Sequence, residues 1–88
     1  MIKHDLGMLN VFVLRSEKHY LPSAQLLRER VDGGVLLSEH EIQLIQSVLD
    51  ELKQMIPVFN RNPKYQKLAG GIMALYEDIV LKVTESEN

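Results

Sequence analysis

The chain has 88 residues, 45% hydrophobic and 25% charged, close to average globular usage and enough for one small domain with a thin stability margin. With no cysteine, thiolate zinc sites, iron–sulfur clusters, disulfide frameworks and cysteine nucleophiles are excluded, and a reducing, cytoplasmic setting is expected. A formal net charge of -2 gives no long-range pull on nucleic acid, no run approaches the roughly 20 apolar residues that span a bilayer, and Asp5 and Asn10 interrupt any leader-like stretch, so no nucleic acid, membrane or export is expected.

Ile2, Leu6, Leu9, Val13 and Tyr20 fall on one helical face, which predicts that the first third is helical. Residues 10–14 have the β-branched and aromatic content of a short strand, but no second strand-like run exists to pair with it. Leu21 precedes Pro22 and is expected to leave the helical region. Residues 22–31 then read as a short helix, with Ala24, Leu27 and Val31 inward and Arg28 and Arg30 suited to its negative C-terminal end. Asp32, Gly33 and Gly34 stop it, with Gly33 expected to take the left-handed cap.

Ser38 and Glu41 have the spacing of a capping box, flanked by Leu37 and Ile42 as a hydrophobic staple. Ile42, Ile45, Leu49, Leu52 and Ile56 then recur at steps of three and four, widened by Leu44, Val48 and Met55, and predict an amphipathic helix over 39–56. Pro57 should end or kink it, leaving a rod of roughly 27 Å at about 1.5 Å per residue. Asn60, Arg61 and Asn62 read as a polar turn, and the Asn62-Pro63 pair should open the last helix with Asn62 as its cap. Tyr65, Ala69, Ile72, Tyr76, Ile79 and Val83 carry that helix to about Val83, and 84–88 read as a frayed acidic tail. The expected fold is therefore all-α: one domain over 1–88, a small bundle of four helices, three long and one short, completed by dimerisation.

Chemistry-bearing patterns are sparse. Glu39, His40 and Glu41 are consecutive on a helix and point about 100° apart, so they offer no single coordination face, and neither His4 nor His19 has a helical partner four residues away. No metal and no cofactor are expected. Glu29 and Asp32 have the spacing of one acidic motif of a helical nucleotide hydrolase, but no second motif accompanies them. His4-Asp5-Leu6-Gly7 resembles over four residues the phosphoacceptor stretch of histidine phosphotransfer bundles, but the lysine of that stretch is absent. A helix-turn-helix would place Glu39 and Glu41 at the start of its reading helix, where phosphate repels them. No triad, nucleophile elbow or phosphate loop is present, and no enzymatic activity is expected.

Two features break local rules. Arg61, Lys64 and Lys67 gather at the N-terminus of the last helix, where the dipole favours acids, and together with free backbone N–H groups they form a candidate anion- or partner-binding site. Gly70 and Gly71 lie inside the same helix, where each costs about 1 kcal/mol relative to Ala, and close approach of another backbone is the expected compensation, a kink the second. The middle third is the acidic part, and Glu41, Asp50 and Glu51 offer a face to a basic partner or to the basic cluster of a second copy. The function expected from these features is a cytoplasmic protein-interaction module without catalysis, a homodimer or an adaptor. The alternatives are an anion- or ligand-binding regulatory module built on the basic cluster, and a small immunity- or antitoxin-like inhibitor.

Overall fold

Pro22 does not end the first helix. The computed structural model describes residues 3–87 and runs without a break through α1 (Lys3–Arg15), a π-helical turn (Ser16–Tyr20) and α2 (Leu21–Asp32). Leu21 stays helical at φ -70°, ψ -47°, and its N–H donates to the Ser16 carbonyl, one residue farther back than in an α-helix. The wider turn accommodates the proline ring, which in a regular helix crowds the carbonyl four residues earlier. The rod thus passes Pro22, against the sequence expectation, and the residues first weighed as a strand are helical.

α3 (Glu39–Gln54) runs back along this rod, a six-residue α4 (Ile56–Arg61) turns the corner, and a 3-10 turn (Pro63–Tyr65) leads into α5 (Gln66–Glu87). Four helices of twelve or more residues, α2 the shortest, form the expected all-α architecture, and among the described residues there is no strand. α2, α3 and α4 all lie against α5. The rods lie side by side in a body 45 Å long and 22 × 19 Å across.

The α3 capping box forms: Glu41 N–H donates to Ser38 Oγ at 3.2 Å and Ser38 N–H to Glu41 Oε1 at 3.0 Å. Ile45, Val48 and Leu52 face the core, with Leu49 half-buried beside them. The stripe does not reach Ile56. The helix breaks at Met55, at φ -91°, ψ -1°, two residues before Pro57, so Ile56 is 42% exposed and Val58 and Phe59 take its place in the core. The expected polar turn at Asn60 and Arg61 is the end of α4 instead. On α5 the expected face holds, with Ala69, Ile72, Tyr76 and Ile79 buried. The helix continues past Val83 to Glu87, while Asn88 and Ile2 lie outside the described residues.

The inner face of α1 is rotated from the expected one. Leu6 is exposed, and the buried positions before α2 are Asp5, Leu9, Phe12, Ser16 and Tyr20. Two of these are strongly polar, which hydrophobic periodicity does not register, and each is satisfied; Ser16 Oγ donates to the Phe12 carbonyl at 2.8 Å.

Two cap expectations and one packing expectation also change. The left-handed residue after α2 is Gly34, at φ +81°, while Gly33 sits at φ -80°. Val35 N–H bonds the Arg30 carbonyl at 2.9 Å and Gly34 N–H that of Val31 at 3.0 Å, a Schellman cap with its left-handed position one residue later than expected. Asn62 caps nothing with its side chain, because its amide turns inward. Gly70 and Gly71 face open space: an added Cβ at either meets nothing within 4 Å, and α5 passes through them uninterrupted, so among the described residues no other helix backbone approaches there.

Candidate functional site

Arg61 leaves the basic cluster to hold an interior carboxylate. Its Nε and Nη2 donate to Asp5 Oδ2 and Oδ1, both at 2.8 Å, the paired geometry in which a guanidinium fits a carboxylate. Asn62 Nδ2 adds a 3.1 Å bond to Asp5 Oδ2 and a 2.8 Å bond to the Val58 carbonyl. Asp5 is only 1% exposed. The Arg61 hydrogen bonds hold its carboxyl well below the usual range, down to about 2, against the opposing effect of burial, and the same bonds raise Arg61. Lys64 lies 5.3 Å above the Tyr65 ring, and Lys67 is exposed on the first turn of α5. Of the three expected site residues, Arg61 thus neutralises a buried acid. The signal that could have found Asp5 is its register: it stands four and seven residues before Leu9 and Phe12, on the face that is buried.

The acidic face of α3 is likewise engaged from within. Arg30 Nη1 lies 2.7 Å from Glu41 Oε2, and the Ser38 backbone bond holds the Glu41 carboxyl below its ordinary range. Glu51 Oε2 accepts from the Tyr20 hydroxyl at 2.6 Å and from Arg15 Nη1 at 3.2 Å. Burial, then the Glu51 bond, pushes the Tyr20 phenol upward. Of the face proposed for a basic partner, Asp50 stays exposed, while Glu41 and Glu51 pair with arginines of the first rod. Asp32, paired in spacing with Glu29, bonds Lys82 at 2.9 Å.

Between α1 and the C-terminal end of α3 the surface opens into a cleft of about 600 Å³, within the range of ligand and peptide sites. Met8, Val11 and Phe12 line it from α1, and Gln54 and Met55 face them. His4 and the Arg15–Glu51 pair also border it. Val11 is 54% exposed at its edge, and Leu14, one turn on, is 53% exposed. Gly7, one turn before Val11, carries no side chain to fill the space. The expected inner face of Ile2, Leu6, Leu9, Val13 and Tyr20 does not show this cleft: Leu9 and Tyr20 are buried as expected, but Phe12 is buried where Leu6 is the expected residue, and Leu6 is exposed.

The lining is mostly apolar. Its one carboxylate, Glu51, is bonded to both Arg15 and Tyr20. Among the described residues no group of three or more His, Asp or Glu is placed to hold a metal ion, and no helix is long and apolar enough to cross a membrane. No family model matches the chain, and no curated protein or solved structure is significantly similar to it.

Proposed function

We propose that this chain is a non-catalytic helical interaction module whose α1–α3 cleft receives the apolar face of a helix from a protein partner. The observation that carries the reading is the cleft itself: a trough walled by two helices and lined by Met8, Val11, Phe12 and Met55, with Val11 half-exposed. Apolar side chains on a soluble domain favour removal from water, at about 25 cal/mol per Å² buried. A trough between two helices accepts a third by ridge-into-groove packing, and methionines adapt to the ridges presented. A second copy is the simplest source of such a helix, which makes a homodimer the first form of the reading, and a cytoplasmic setting suits a chain without cysteine. The anion-binding alternative is weakened by Arg61, whose donors are directed at Asp5.

The test uses a synthetic amphipathic peptide of about three helical turns, leucine-rich on one face, titrated into isotope-labelled protein and followed by NMR. Shifts centred on Met8, Val11, Phe12 and Met55, abolished by Val11→Glu, support the reading. Shifts centred on Lys64 and Lys67, or no saturable shifts, overturn it. Sedimentation over a wide concentration range separates a second copy from a foreign partner as the source of the helix.

A further inference from the structure

α1 differs from every other helix in how it is held. α2, α3 and α4 lie along α5, whereas the main chain of α1 comes close chiefly to the π turn that follows it. The cleft separates part of α1 from α3, and α1 reaches the core through side chains: Leu9, Phe12 with its ring centroid 4.9 Å from that of Phe59, and Asp5. At one end of α1 is the clasp formed by Asp5, Arg61 and Asn62. At the other is the π turn, where Pro22 supplies no N–H to the helix ladder. A π segment followed by a proline is where a helix bends most readily.

We propose that α1 is a latched strap: it hinges on the π turn at Ser16–Tyr20, is locked at its N-terminal end by the clasp of Asp5 on Arg61 and Asn62, and opens as a unit while α2, α3 and α5 stay folded. Opening moves one wall of the cleft and uncovers Phe12 and Phe59, enlarging the apolar surface from a trough to a face. The clasp suits a lock because both carboxylate oxygens are engaged and the partners come from the α4–α5 corner, 56 and 57 residues away in the chain. Asp5 is buried while the Arg61 side chain is 47% exposed, so the lock is reached from solvent on its cationic side. The strap does not depend on what fills the cleft.

Native-state hydrogen exchange, resolved amide by amide by NMR, tests it on the unaltered chain. The α1 amides are expected to exchange through one shared opening about tenfold or more faster than those of residues 72–79 in α5. Asp5→Asn, and independently Arg61→Met, should speed α1 exchange by a further tenfold or so, whereas Ile79→Val, in the part that stays folded, should speed the α5 amides and leave those of α1 nearly unchanged. Equal protection of α1 and α5 in the unaltered chain overturns the strap. So does an equal acceleration of both helices by Ile79→Val, which would mean that α1 opens only when α5 does. Should either variant fail to fold, the exchange hierarchy of the unaltered chain decides alone.

Discussion

The Tyr76 hydroxyl donates a 2.8 Å hydrogen bond to the Tyr20 carbonyl, joining the middle of α5 to the last residue of the π turn. Tyr76 is 0% exposed, and burial, then the neighbouring Tyr20, pushes its phenol up to about 12. A single hydroxyl thus serves a carbonyl at the irregular point of the first rod. Tyr76→Phe keeps the ring and deletes the donor, leaving a buried acceptor, and should destabilise the fold by about 1–3 kcal/mol. Urea unfolding checks this: the midpoint should fall with little change in slope.

Acid should loosen the fold through Asp5. Its pKa lies near 3.8 ordinarily and is lowered to about 2 here. A carboxyl depressed on folding stabilises the native state fully above its unfolded value, and the contribution fades as pH falls toward the folded one. The window is therefore between about 4 and 2, with stability decreasing downward. Asp5→Asn should flatten that part of the curve as well as lowering stability near neutral pH. Glu41, also lowered, leaves a smaller dependence behind, and Glu41→Gln separates it. The measurement is the urea midpoint against pH for the three proteins.

Gly70→Ala and Gly71→Ala should each stabilise the isolated chain, by about 0.5–1 kcal/mol, because alanine restricts the unfolded chain and its Cβ meets open space. Gly34→Ala should do the reverse, by about 1–2 kcal/mol, since its φ of +81° is the left-handed conformation that a Cβ disfavours. Thermal unfolding of the three variants checks the signs. A loss at Gly70 or Gly71 would reveal a close neighbour that this chain alone does not supply.

What could be read in advance was whatever depends on apolar spacing within one regular helix. The Ser38–Glu41 box and the run of Ala69, Ile72, Tyr76 and Ile79 are local patterns, and the structure carries both. Local pattern failed where a polar residue is buried with a distant partner: Asp5 finds Arg61 56 residues on, and nothing near either announces the other. It failed also at Pro22, whose neighbours read as a helix boundary because propensity knows the α-helix and not the π turn. The basic cluster was legible as a departure from dipole preference, but its explanation lay in part in a buried acid on another helix.

Ile56 and Phe59 discriminate most sharply between periodicity and the folded chain. By spacing alone Ile56 completes the α3 stripe, whereas in the structure it is 42% exposed and Phe59 is 4% exposed against Phe12. Phe59→Ala should cost about 3–5 kcal/mol, the transfer of a buried ring plus the cavity it leaves. Ile56→Ala should cost under about 1 kcal/mol, since much of that side chain already meets water. Phe59→Leu keeps most of the volume and loses the ring pair, worth about 0.5–1.5 kcal/mol beyond area, and should fall between them. Urea unfolding of the three variants gives the order; Ile56→Ala as the most damaging would mean that α3 runs through Met55 unbroken and that the corner carrying Arg61 to Asp5 does not form.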